Sequence, residues 1–187
     1  MFIIMPEIHQ LSATEIVTKI KNRQFSVTEV GQAFINQIKA VNEKINAIHQ
    51  FDPERILSEA AAADKSIKTS KKLGKLHGLP ITLKNAFQVK GFKCSKGFPG
   101  FFKSISQYDA TVVKRLKQEG VIILGISNVP ELLLTYETDN LIYGRTNNPH
   151  NLMLTPGGSS GGEAAIISAG GSPLGIGSDA GGSIRQP

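Results

Sequence analysis

"DATVVKRLKQEGVIILGISN", residues 109–128, sets two patterns back to back. Residues 109–120 read as a helix, capped by Asp109 and stopped by Gly120, and "VIILGISN" (121–128) follows at once as an apolar strand. A helix handing over directly to a buried strand is the unit of an α/β sheet. The neighbouring stretches extend the alternation. Upstream, "GLPITLKNAF" (78–87) is a short apolar run with β-branched residues, as a second buried strand has. Downstream, "SSGGEAAIISAGG" (159–171) suits a small-residue helix with a glycine-ended loop, and "SPLGIGSD" (172–179) a further buried strand.

The first part of the chain reads differently. "SATE" (12–15) and "SVTE" (26–29) are capping boxes, in which Ser12 and Ser26 accept amides of the first turn while Glu15 and Glu29 reach back. Each precedes apolar residues at helical spacing: Ile16, Val17 and Ile20, then Val30, Phe34, Ile35 and Ile38. "DPERILSEAAAADKSI" (52–67) starts with Asp52 as cap and Pro53 in the first helical position. Three helices are therefore expected over 10–70. Residues 1–75 form a helical arm and 76–187 the α/β portion, without a domain boundary between them.

Composition narrows the function classes. A formal charge of +6 invites a nucleic-acid reading. The lysines are scattered, however, and the densest run, "KSIKTSKKLGK" (65–75), has no aromatic residue among them to stack a base, so it reads as a solvated face. The single cysteine, Cys94, excludes an internal disulfide and suits a reducing compartment. No segment approaches the ~18 apolar residues of a membrane span. The opening "MFIIMP" is too short for a signal peptide. A cytoplasmic protein is expected.

Glycine and serine carry the chemistry. "GIGSDA" (175–180) matches a dinucleotide fingerprint only formally, since no ribose-binding carboxylate can follow. There is no phosphate-binding GxxxxGK[ST], no GxSxG elbow, and none of His9, His49, His77 and His150 stands in a base motif. Three hydroxyls remain, Ser159, Ser160 and Ser183, each beside glycines that let the backbone approach a substrate. Tight turns explain one glycine pair, but not both "GGSSGG" and "AGGS". A serine nucleophile needs a base and amides aimed at the developing oxyanion. Without histidine, the base should be a lysine kept neutral by burial. The lysine in a strand-like apolar stretch is Lys84, in "PITLKNAF".

"GGSSGGEAAIISAGGSPLGIGSDAGGSIRQP" (157–187) closely resembles the signature of the amidase signature family of serine hydrolases. The resemblance runs upstream through "YETDNLIYGRTNNPHN" (136–151) and "GLPITLKNAF", and more loosely to the N-terminal helices. It implies the N-terminal part of that family's α/β fold, a mixed sheet flanked by helices, and a Ser-Ser-Lys triad. Ser183 matches the nucleophile, Ser159 the bridging serine after a cis peptide from Gly158, and Lys84 the base. The amides of Ala180, Gly181, Gly182 and Ser183 match the oxyanion hole. Ser160, Asp179 and Arg185 match supporting positions. No metal or organic cofactor is implied, and the partner is a small-molecule amide.

Within the family, "GGSSGGE", "SAGGSPLGIGSD" and "YGRTNNP" look most like fatty acid amide hydrolases and their bacterial relatives. The rival is a glutaminase like the glutamine-hydrolysing component of glutamyl-tRNA amidotransferase, which usually has Asp-Asn after the lysine where this chain has "KNAF". Members of the family are much longer, and much of their acyl pocket comes from the later part. The sequence therefore reads as a portion of an amidase, completed by a C-terminal piece or self-associating through exposed sheet edges, or else catalytically silent.

Overall fold

The computed structural model describes residues 7–69 and 72–187, so the opening "MFIIMP" and two residues of the basic run lie outside the described residues. The elements are α1 (Ala13–Lys21), α2 (Val27–Ile45), β1 (Ile48–Phe51), α3 (Pro53–Thr69), β2 (Pro80–Lys84), α4 (Thr111–Gln118), β3 (Ile122–Ser127), α5 (Gly161–Ser168) and β4 (Gly175–Ile176). Four strands form one mixed sheet in the order β1-β3-β2-β4. Strand β2 runs parallel to both its neighbours, β3 and β4, and β1 is antiparallel to β3. Among the described residues no helix is long and apolar enough to cross a membrane.

The helix starts form as their residues dictate. Ser12 and Ser26 accept the amides of Glu15 and Glu29, whose carboxylates accept the cap amides in return at 2.8 Å each. Asp52 caps α3 through the Arg55 amide at 3.0 Å, with Pro53 first in the helix. A second device holds the start of α2. Asp64 on α3 accepts the amides of Val27 and Thr28 at 2.7 and 3.0 Å, joining the two helices.

Three expectations need correction. Asp109 does not cap α4, whose cap is Ala110. Its carboxylate instead accepts the Lys90 amide and the Lys117 ammonium, both at 2.8 Å, because a loop amide and a cation compete for it. The strand read over 172–179 shrinks to Gly175–Ile176, since only Thr82 and Leu83 of β2 pair with it. The third is a strand read as part of the helical region. Residues 48–51, inside the 1–75 segment, form β1 at the sheet edge. Asn42 starts it by accepting the amides of Ala47 and Ile48 at 2.9 and 2.8 Å, and Gly125 lets it approach, since a Cβ there would sit 2.6 Å from the Gln50 carbonyl.

The core is continuous. Ile16, Ile20, Phe34, Ile38 and Ile56 from the helices pack in one cluster with Ile81, Leu83, Leu124 and Ile126 from the sheet. Every residue of β2 and β3 is buried, as in strands covered on both faces. Helix α5 lies against the end of β3 through Gly162, where a Cβ would collide with the backbone of Asn128.

Candidate active site

The last residue of β2 is Lys84, and its side chain is 0% exposed. Its Nζ donates to Ser159 Oγ at 2.8 Å and to the Ser178 carbonyl at 3.0 Å. Among the described residues no carboxylate forms an ion pair with it. Burial therefore pulls its pKa down from 10.5 to about 8, while Glu163 and Asp179, at longer range, pull the other way. An ammonium dehydrated in this way gives up its proton readily.

Ser159 follows a cis peptide from Gly158 and is itself buried. The turn before α5 is held on several sides. Thr138 Oγ1 donates to the Gly157 carbonyl at 2.7 Å, and the Gly158 amide donates to Gln186 Oε1 at 3.0 Å. Ser160 joins this turn to the later loop: its amide donates to the Ser183 carbonyl at 3.0 Å and its hydroxyl to the Ser178 carbonyl at 3.3 Å.

Asp179 organises the loop that carries Ser183. It accepts the amides of Gly182 and Ile184 at 2.7 and 2.9 Å and pairs with Arg185 at 2.8 Å. The Arg185 side chain first, and then these amides, hold its carboxyl well below the usual carboxylate range. Tyr136 donates its hydroxyl to the Gly181 carbonyl at 2.6 Å. The Gly181–Gly182 peptide is thus held at both ends, and Gly182 takes φ 121°, where a side chain would be strained.

The sequence-derived residues therefore converge: Lys84, Ser159, Ser160, Ser183, Asp179 and Arg185 lie around one pair of loops. Two details differ from expectation. The Ser183 hydroxyl forms no hydrogen bond with Ser159 or with any other side chain among the described residues. Of the four expected oxyanion amides, that of Gly182 is engaged by Asp179, whereas those of Ala180, Gly181 and Ser183 have no acceptor among the described residues.

Two buried groups were missed. Glu163, on α5, is the one Asp, Glu, Lys or Arg between Arg145 and Asp179, a signal the sequence did offer. It lies beneath the site, with Thr82 Oγ1 donating to it at 2.6 Å, and burial raises its pKa from 4.5 to about 7. Asn85, next to Lys84, donates to His49 Nε2 at 3.0 Å. His49 stacks on Tyr143 with ring centres 3.7 Å apart, and burial lowers its pKa to about 3, so this histidine stays neutral. A groove of about 750 Å³ runs past Arg55, Phe92, Lys117 and Ile123, and none of its lining residues belongs to the site.

Fold and site together define an α/β protein with a serine- and glycine-rich loop pair around a buried lysine. The chain belongs to the amidase family, whose profile matches residues 29–187. It is 42% identical over 184 residues to human fatty-acid amide hydrolase 2, covering 95% of this chain and 35% of that protein. It is 41% identical over 180 residues to an acylamidase of Rhodococcus erythropolis, covering 96% of this chain and 38% of that protein. The glutamine-hydrolysing branch is equally near: a glutamyl-tRNA(Gln) amidotransferase polypeptide of Streptomyces coelicolor is 42% identical over 183 residues, covering 98% of this chain and 37% of that protein. A solved fatty acid amide hydrolase superposes with a TM-score of 0.92 at 34% identity, over 98% of this chain and 33% of its own. The chain thus spans about a third of the length of the relatives it matches.

Proposed function

We propose that this chain carries the catalytic residues of a serine amidase that hydrolyses a carboxylic amide through Ser183, Ser159 and Lys84. The observation that supports it most is the buried Lys84 amine bonded at 2.8 Å to Ser159 Oγ, with burial easing loss of its proton. Neutral Lys84 draws a proton from Ser159, which takes that of Ser183 as the Ser183 oxygen attacks the amide carbonyl carbon. The Ser183–Ser159 bond forms when substrate settles the loop, as catalytic contacts often tighten only in the complex. The amides of Ala180, Gly181 and Ser183 face the oxyanion of the tetrahedral adduct. Collapse breaks the C–N bond, and the leaving amine receives the proton back through Ser159. Water, deprotonated by the same relay, then splits the ester on Ser183 and releases the acid.

The proposed substrate is a small amide, with a fatty acyl amide favoured by "GGSSGGE" and "YGRTNNP". Glutamine is the second reading, because the amidotransferase polypeptide is as similar as the human hydrolase. Release of a long-chain acyl p-nitroanilide against release of ammonia from glutamine separates them. We infer that the chain alone turns over slowly, and that a complementing piece or a further copy completes the acyl pocket. Light scattering reads the association.

A fluorophosphonate probe tests the chemistry directly. The adduct is expected on the Ser183 peptide and is lost in Ser183→Ala. Its rate should fall as pH drops below about 8, where Lys84 takes up a proton. Labelling that is flat down to pH ~5 removes lysine as the base.

A further inference from the structure

Glu163 is a buried carboxyl for which the mechanism above has no use. It projects from α5 into the space below β2 and β4. Thr82, which stands two residues before Lys84 and so on the same face of β2, donates to its Oε2 at 2.6 Å. Gly175 of β4 leaves room for it, since a Cβ at that position would collide with the Glu163 carboxylate. Ser127, the last residue of β3, turns its buried hydroxyl toward Oε1 without forming a well-aligned bond. Three strands thus each give something to seat one acidic side chain beneath the site, where an alanine would fill a core more simply.

The charges around it are few. Strands β3 and β4 contribute none. On α2 the residues Glu29, Lys39, Glu43 and Lys44 face away from the buried cluster, and α5 carries no other charge. His49 on β1 is held neutral against Tyr143. That leaves Lys84, which feels two carboxylates, Glu163 and Asp179. Arg185 and three amides keep Asp179 ionised far into acid, so its influence on Lys84 is constant near neutrality. Glu163 alone can change charge there.

We propose that Glu163 is a positioning residue for Lys84: its carboxylate, seated by Thr82 and by the space at Gly175, sets the pH at which the lysine is free to act as base. The inference rests on the reading of Lys84 as that base. An ionised Glu163 holds the ammonium, and a Glu163 that has lost its charge releases it. The two groups titrate as a pair. Their ordinary values are pushed toward each other by burial, to about 7 for the acid and about 8 for the amine.

The test follows Lys84 itself, in the full chain labelled with 13C-lysine, its resonance identified by loss in Lys84→Met. In Glu163→Gln the Lys84 midpoint is expected about one pH unit lower, a tenfold weaker hold on the proton. Thr82→Val, which withdraws the donor from the ionised carboxylate, should shift it in the same direction by less. Unchanged midpoints in both variants overturn the proposal, as does a wild-type Lys84 that titrates with the exposed lysines. A purely structural Glu163 would move the melting temperature and leave the midpoint alone. Fluorophosphonate labelling across pH is run in parallel. No adduct at Ser183, with the midpoint shifted as expected, overturns the hydrolase reading and keeps the Glu163–Lys84 link. An adduct whose acid limb is the same in wild type and Glu163→Gln overturns the role of Glu163 alone.

Discussion

Replacing Lys84 by methionine should make the protein more stable at neutral pH while abolishing reaction at Ser183. The chain length of the side chain is nearly preserved, so the site keeps its volume. What goes is a charge that folding strips of water. Its pKa falls from 10.5 to about 8 on folding, mainly through burial. At ~1.4 kcal/mol per unit, that shift corresponds to at most about 3 kcal/mol. Water at the open face of the site screens part of it, and the lost attraction to Glu163 takes back more, so about 1–2 kcal/mol is expected. For a chain of this size that raises Tm by ~2–8 °C.

The pH dependence separates this cause from any other. Below pH 8 the lysine is charged in both folded and unfolded chains, and the folded state bears the whole penalty. Between 8 and 10.5 the folded amine is neutral while the unfolded one is charged, so the penalty shrinks, and above 10.5 it is gone. Urea melts of wild type and Lys84→Met should therefore differ most at pH 7 and converge toward pH 10.5. A methionine variant less stable than wild type at pH 7, or a gap that ignores pH, would refute the claim that Lys84 is a dehydrated base.

Two further substitutions probe the surroundings. Gly175→Ala drives a methyl into the Glu163 carboxylate and should destabilise the fold by about 1–3 kcal/mol, read as a lower urea midpoint. Tyr136→Phe frees the Gly181 carbonyl from its 2.6 Å bond and should slow fluorophosphonate labelling of Ser183 by about tenfold, with unchanged circular dichroism, since the loop next to the oxyanion amides loses one of its two restraints.

Most helix starts and both central strands are written in local chemistry: Ser12, Ser26 and Asp52 accept first-turn amides whatever the rest of the chain does, and β2 and β3 are apolar almost throughout. What escaped depends on partners far away in sequence. "IHQF" becomes β1 only because β3 offers it an edge and Gly125 a clear approach. Asp109 looks like a cap until Lys90 and Lys117 arrive. The site residues were readable through their glycine frame, yet Gly182 shows the limit of that reading, for its amide is committed to Asp179. Glu163 could have been suspected on the same ground as Lys84, a lone charge in an uncharged run.

Topology, more than the glycine frame, gives Lys84 its chemistry. Strand β2 is central, bonded on one side to β3 and on the other to β4, and its five residues are all buried. All three strands run parallel, so their carboxyl ends meet on one side of the sheet. Loops leaving parallel strands at that side are where α/β proteins place their ligands. Lys84 closes β2 there, Ser127 closes β3 alongside it, and the Ser178 carbonyl that accepts from Lys84 lies just beyond β4. The same lysine on the edge strand β1 would reach water on one flank and keep its proton at neutral pH. A lysine at the end of the middle strand has only hydroxyls and a carbonyl to meet, and the nearest compensating charge belongs to a carboxyl that is itself buried. Dehydration at the centre of the sheet is what turns an ordinary side chain into a base, and the serine loops bring it something to deprotonate.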